Sequence, residues 1–239
     1  MRMKNISKAA SQLFFVILLS AISSMSCADD KNPDPWEGLN RVTYGFNDVA
    51  DKTVLKPVAK FYQWVTPGFI QRRVGNFFSN LQDVEAGVNN ILQGKLRHGT
   101  SDFGRLIVNT TVGVGGLFDP ATKLGLEKHR EDFAQTLAVW ALPQGPYLVL
   151  PFLGPNTLTD ALTNPLNPRL DPVLYLYPVN HRNVLFGVRA IQTRASLFAA
   201  EGAMFGDRYL FIRDAFLQRR AYLIADGEVE DAFDDFYVY

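Results

Sequence analysis

The 239-residue chain has one cysteine, three histidines and no late apolar run of membrane-spanning length, and each shortage removes a class of protein. A lone cysteine forms no internal disulfide. His98, His129 and His181 stand far apart in sequence, without an H-E-x-x-H pattern or a pair spaced for a metal. No G-x-S-x-G marks a serine nucleophile. Gly113, Gly115 and Gly116 are not followed by G-K-[ST], and they close a helix where a phosphate loop would open one. Glu131 and Asp132 are neighbours on a helix and point apart, which is poor geometry for shared acid and base work. Charge of one sign is also lacking: 24 basic residues balance 24 acidic ones, so nucleic acid is disfavoured as a partner. Without a catalytic set, a metal site or a cofactor motif, binding or transport fits this chain better than catalysis.

What is present begins at the N-terminus. Arg2, Lys4 and Lys8 precede an apolar run from Leu13 to Ile22 and the small, polar series Ser23 to Ser26, the layout of a secretory signal over residues 1–26. Cys27 then stands where a lipoprotein signal peptidase would cut and a diacylglycerol anchor would be attached. Ser26 fits that pattern, whereas Ser24 occupies a position where an aliphatic residue is expected, so ordinary cleavage with Cys27 incidental is the competing reading. Ala28 replaces the aspartate that commonly retains lipoproteins at the inner membrane, which favours the outer membrane. Removing the signal leaves 213 residues with 21 basic and 24 acidic groups, enough for one domain. Eighteen Phe, nine Tyr and three Trp suit either a surface meeting acyl chains and headgroups or an aromatic-rich core.

Residues 27–35 read as a short tether, 36–226 as the helical domain and 227–239 as an acidic aromatic tail. The tail is either solvated or a docking segment. Asp34 with Pro35 predicts an N-cap and a helix to about Val49, and Pro57 opens a short helix through Trp64. Past Pro67 and Gly68 a longer helix carries Phe77, Phe78, Leu81, Val84, Val88, Ile91 and Leu92 on one side. Asn80, Gln82, Asp83, Glu85 and Asn89 lie opposite, and Gly94 is the stop. Ser101 and Asp102 predict the next start. Helical pieces follow near Pro120, over Glu131–Trp140, over Thr157–Leu162, over His181–Ala200 and over Asp207–Ala225. The Gly145–Pro155 stretch reads as an extended, buried connector, and strand-period alternation is almost absent. The expected fold class is all-α, with many short helices.

The motifs resemble those of the MlaA/VacJ family of phospholipid-transport lipoproteins. The resemblance opens at Asp34-Pro35-Trp36-Glu37-Gly38-Leu39-Asn40-Arg41 with Tyr44, Phe46 and Asn47. It continues through Lys56-Pro57-Val58-Ala59, Arg73-Val74-Gly75-Asn76-Phe77, Asn90-Ile91-Leu92-Gln93-Gly94 and Arg105 with Asn109-Thr110. Gly113-Val114-Gly115-Gly116-Leu117-Phe118-Asp119, Glu131-Asp132-Phe133, Pro151-Phe152-Leu153-Gly154-Pro155 and Asp207-Arg208-Tyr209 complete it in order. The family's usual T-x-R-D-x-x-G is not kept: Thr157-Leu158-Thr159-Asp160 lacks the arginine and Thr163 replaces the glycine.

The resemblance implies a ring of short amphipathic helices lying in one leaflet of the outer membrane around a central channel. It implies removal of mislocalised phospholipid from the outer leaflet and delivery to a periplasmic lipid-binding carrier, with a trimeric porin bracing the ring. No cofactor is implied. A structural scaffold for a porin or the envelope is the alternative. The lipid anchor is Cys27, and the candidate lipid-path residues are Asn40, Arg41, Asn47, Gly113, Gly115, Gly116 and Phe118. Arg41 either attracts phosphate or makes a salt bridge, and the glycines form either a flexible rim or tight turns.

Overall fold

Proline and glycine divide the chain into short helices, as their lost donors and wide backbone freedom dictate. The computed structural model describes residues 32–202 and 204–227; Cys27, the signal segment and residues 228–239 lie outside them. Helix α1 spans Glu37–Ala50 and runs through one π-helical turn, Asp51–Leu55, into α2, Lys56–Val65. Helix α3 spans Gly68–Leu92, α4 Leu96–Thr111, α5 Pro120–Lys123 and α6 Phe133–Val139. Strands β1, Tyr147–Leu150, and β2, Gly154–Thr157, pair antiparallel with Leu150 opposite Gly154. Helix α7 spans Leu158–Thr163, α8 Val179–Ser196, α9 Phe198–Glu201 and α10 Arg208–Ile224. The fold is all-α apart from that hairpin, and among the described residues no helix is long and apolar enough to cross a membrane.

Several expected boundaries shift for identifiable reasons. Asp34 is not the N-cap of α1, which is Trp36 without a side-chain cap; the Asp34 carboxylate instead accepts from Asn40 Nδ2 at 2.8 Å and from the Tyr209 hydroxyl. Residues 32–35, placed in the tether, are tied to the domain at two points, because Asp34 is buried and the Pro33 carbonyl accepts from Tyr147 N at 2.8 Å. Helix α4 starts at Leu96, five residues before Ser101, since Asp102 is an interior residue whose carboxylate takes Asn90 Nδ2 at 2.8 Å. The extended connector is a β-hairpin with Tyr147 and Val149 buried and a three-residue tip. The long C-terminal helix breaks at Leu197, so α8 and α9 are separate.

Helices α3 and α4 form an antiparallel pair whose backbones approach through glycine. A Cβ on Gly99 would stand 2.7 Å from Ile91 Cγ1 and 2.9 Å from the Gly87 carbonyl, so side chains larger than hydrogen are excluded there. Across this pair Asn80 meets Thr110, and Arg105 lies 3.6 Å from Asp83. Helix α2 packs on α8, with Ala59 and Ala195 buried, Gln63 donating to the Ala195 carbonyl at 3.0 Å and Tyr62 donating to Gln192 Oε1 at 2.6 Å. Carboxylate caps set three helix starts: Asp119 for α5, Asp132 for α6 and Asp207 for α10. Thr157 and Asp160 form a capping box on α7.

Candidate functional site

The polarity of the interior is reversed. Among the described residues 17 polar or charged side chains are buried against ten apolar ones, and five of those ten are alanine. In α3 the buried positions are Phe78, Asn80, Asp83, Ala86, Gly87, Asn89 and Asn90, so its polar side faces in while Ile91 and Leu92 are exposed. On α1 the exposed residues Leu39, Val42, Phe46 and Val49 follow helical spacing, and Phe61 and Trp64 extend the stripe along α2, with Trp64 82% exposed. Ile107, Val112 and Val114 are exposed on and after α4. A surface this rich in contiguous apolar side chains is the form a helical protein takes against hydrocarbon.

Inside lies a chain of cavities. The first, about 540 Å³, is walled by α3, residues 128–132, α6, α8 and α10. It shares Gly75, Gln192 and Ser196 with a second of about 520 Å³, and Gln82, Glu85 and Arg189 with a third of about 200 Å³. Arg130 and Arg219 line the first cavity and Arg72 and Arg73 the second, and none of the four takes part in an ion pair among the described residues. Arg73 instead lies 4.0 Å from the centre of the Phe118 ring. Burial, reinforced by the charges of Asp132 and Asp171, pushes the Glu85 carboxyl up to about 7 against the opposing pull of Arg189. Glu131 and Asp132 do point apart. Glu131 accepts from Gln93 at 2.8 Å, while Asp132 accepts two bonds from Arg220 at 2.6 and 2.9 Å that hold it below the usual range despite burial.

None of the sequence-derived candidates lines these cavities. Asn40, fully buried, donates to Asp34 and to the Tyr147 carbonyl at 3.1 Å and accepts from Val149 N at 2.8 Å, pinning β1 to α1. Asn47 holds the other end of the hairpin, donating to the Leu150 carbonyl at 2.9 Å and accepting from Phe152 N at 2.8 Å. Arg41 pairs with Glu37 at 2.7 Å and Asp207 at 2.9 Å over the Tyr209 ring. In the glycine turn Gly113 abuts the Asn109 and Phe118 carbonyls, Gly115 and Gly116 have positive φ, and a Cβ on Gly116 would stand 2.7 Å from Asn80 Nδ2. Only Phe118 reaches the site, through Arg73. The missed residues, among them Glu85, Arg130, Gln135 and Arg219, come from three separate segments, with Arg130 and Gln135 five residues apart, and nothing local in the sequence marks the three segments as neighbours.

His98 and His129, distant in sequence, stack with ring centres 4.3 Å apart, and His129 Nδ1 is 2.9 Å from Asp102. Among the described residues no three His, Cys, Asp or Glu side chains are grouped to hold a metal.

An apolar outside, a polar inside and cationic cavity walls define a helical protein of the membrane–water interface, one able to pass or hold an amphiphile. Residues 32–223 match the family described as MlaA lipoprotein, and the chain belongs to that family. A protein of Rickettsia typhi with no assigned function is 37% identical over 159 residues, 66% of this chain, and that match spans 62% of the relative's length. The intermembrane phospholipid transport system lipoprotein MlaA of Escherichia coli is 31% identical over 222 residues, 89% of this chain and 87% of its own. A solved structure described as the structural basis for maintenance of bacterial outer membrane lipid asymmetry superposes with TM-score 0.69 at 32% identity, covering 80% of this chain and 98% of that one. Membership in a lipoprotein family makes the chain membrane-associated, with lipid as its setting.

Proposed function

We propose that the protein is an outer-membrane lipoprotein that takes mislocalised phospholipid from the outer leaflet and passes it to a periplasmic carrier, maintaining lipid asymmetry without catalysing a reaction. The observation that carries this reading is the pairing of an exposed apolar belt with polar cavities in which Arg130, Arg219, Arg72 and Arg73 make no ion pair among the described residues. The belt sits among acyl chains of one leaflet. The cavities then accept a headgroup, its phosphate drawn to Arg130, Arg219, Arg72 and Arg73, while the lipid tails stay near hydrocarbon. The polar interior removes much of the cost of carrying a charged group through an apolar layer.

Residues 1–26 are removed, Cys27 carries the lipid anchor and residues 27–35 connect it to a domain that runs to 226, with the tail 227–239 outside the shared part. A trimeric porin braces the domain against its apolar belt, and a periplasmic lipid-binding protein receives the cargo. Within this scheme Asn40 and Asn47 act on the path indirectly by pinning the hairpin to α1, Arg41 by tying α1 to Asp207, and Gly113, Gly115 and Gly116 by shaping the turn that leads to Phe118, whose ring lies beside Arg73.

Purified mature protein in asymmetric vesicles should move labelled phospholipid out of the surplus leaflet, and a strain lacking it should accumulate outer-leaflet phospholipid. Normal outer-leaflet phospholipid in that strain would sink the proposal. A scaffold that only stabilises a porin would tolerate aspartate at Arg130 and Arg219, whereas a conduit would lose transfer.

A further inference from the structure

The C-terminal end of α10 is bent off the helix axis and tied down beside the first cavity. Gly227 N donates to the Tyr222 carbonyl at 2.9 Å and Asp226 N to the Leu223 carbonyl at 3.2 Å, the paired bonds of a Schellman ending, and both residues have positive φ. Asp226 thus holds the left-handed position that glycine usually takes, and its carboxylate is gripped by Lys95, the residue before α4. Lys95 Nζ also lies 3.5 Å from Glu131 on the cavity wall. Arg219 and Leu223, one turn apart on α10, line the same cavity, and Asp226 follows three residues later. The chain therefore leaves the described domain at the edge of this cavity.

The open charge on that wall is positive. Glu131 is held by Gln93 and Lys95, Asp132 by Arg220, and burial pushes the Glu85 carboxyl toward its neutral form. Lys128 is taken by Asp83 and Arg189 by Asp171. Arg130 and Arg219, both exposed, form no ion pair among the described residues. Residues 228–239 carry Glu228, Glu230, Asp231, Asp234 and Asp235, with no lysine or arginine, and set Phe233, Phe236, Tyr237 and Tyr239 among them. The segment spans up to roughly 40 Å when extended. It begins four residues past Leu223, about 6 Å of helical rise from the cavity wall. The family match stops at residue 223, before this segment.

We propose that the first cavity is the docking site of the chain's own acidic aromatic tail, residues 228–239, whose carboxylates pair with Arg130 and Arg219 while an aromatic side chain lies toward Leu223 and Phe78. Exposed ion pairs are weak one at a time. A segment tethered at the cavity edge is present at an effective concentration in the millimolar range, so a few such pairs suffice to seat it. The docking stands on the charge and the position of the chain end; its consequence rests on the lipid-path reading above. The tail fills the place assigned there to headgroup phosphate, so tail and phospholipid compete for the same two arginines.

Photo-crosslinking of the full mature protein tests it. Phe233 is replaced by p-benzoylphenylalanine, the protein is set in vesicles of equal parts phosphatidylethanolamine and phosphatidylglycerol, and the cross-linked peptides are read by mass spectrometry. The cross-links should fall within one chain, on the cavity segments of α3 or α10. Arg130→Glu with Arg219→Glu should lower their yield about fivefold, the loss expected of two exposed ion pairs. Lysine at Glu230, Asp231, Asp234 and Asp235 should restore it in that double variant, which a merely misfolded domain would not allow. In the otherwise unaltered chain, glutamine and asparagine at the five tail acids should raise the rate of phospholipid transfer about threefold, as for a tail docked two-thirds of the time. Cross-links to lipid, to a second copy or to the outer belt overturn the docking, and so does a yield that the double variant leaves unchanged. Cross-linking in cells to a different protein in place of the cavity would make the tail a partner's ligand and likewise overturn it. None of these results touches lipid transfer. A docked tail whose neutralisation leaves the rate unchanged refutes the competition, and a docked tail with no transfer by either form refutes the lipid path alone.

Discussion

Single polar side chains do the work here that apolar ones do in a water-soluble domain. Asn40 satisfies a carboxylate, a carbonyl and an amide N–H at once in a site closed to water. Asn40→Ala removes all three bonds, leaving Asp34 only its bond from Tyr209, and the expected loss is roughly 3 kcal/mol, about 6–12 °C in Tm by thermal melting in detergent. Glu85 does the opposite. Its carboxyl, pushed up to about 7 from an unfolded value of 4.5, keeps a proton in the fold that the unfolded chain releases. The groups facing it are Asp132 at the N-cap of α6, Asp171 between α7 and α8, and Arg189 from α8. Stability attached to Glu85 is therefore complete below pH 4.5, falls between 4.5 and about 7, and stays low above that. Glu85→Gln should raise stability by about 1–3 kcal/mol at pH 8 and by nothing at pH 4, and an equal gain at both pH values would refute this account.

Asn40 and Asn47 were conspicuous in sequence because they sit in a motif, and the motif turns out to organise the hairpin. Sequence pattern marks residues whose spacing along the chain matters, which is what capping and pinning require. The cavity residues meet only after α3, α6, α8 and α10 have assembled, so no window of sequence contains them.

At the scale of elements, the turn after α4 separates strain from crowding. Gly115 and Gly116 both have positive φ, yet a Cβ on Gly115 meets nothing while one on Gly116 runs into Asn80. Gly115→Ala should cost about 1 kcal/mol from backbone conformation alone, and Gly116→Ala at least about 2–3 kcal/mol, read as separate shifts in the melting curve. Val114 just before them has φ of 55°, an unusual position for a β-branched residue, and its side chain is exposed. Helix number and approximate limits were legible because proline, glycine and capping carboxylates act locally. The orientation of α3 was less so. Periodicity finds two sides of a helix, but which one faces inward depends on whether the surroundings are water or hydrocarbon, and that is a property of the solvent. The hairpin escaped the period-2 test because its strands are four residues long and β2 reads Gly154-Pro155-Asn156-Thr157.

For the molecule as a whole, two attachments to the membrane act in parallel, the proposed lipid on Cys27 and the apolar belt. Cys27→Ser is expected to slow delivery to the outer membrane, while the mature domain, once delivered, stays with membranes through Leu39, Phe46, Phe61 and Trp64. Fractionation settles it: complete release of the mature Cys27→Ser protein into the soluble periplasm would mean that the belt contributes little.

The reversed interior also shapes how the protein responds to temperature. Unfolding in a detergent or lipid environment exposes chiefly amides, hydroxyls and ion pairs from within, and little new hydrocarbon. Apolar exposure raises the heat capacity and polar exposure lowers it, so the increment measured by calorimetry should fall clearly below the ~12–15 cal/mol/K per residue of ordinary globular domains. A small increment flattens the stability curve. Cooling, which weakens cores held together by water's aversion to oil, should leave this one nearly as firm as it was when warm.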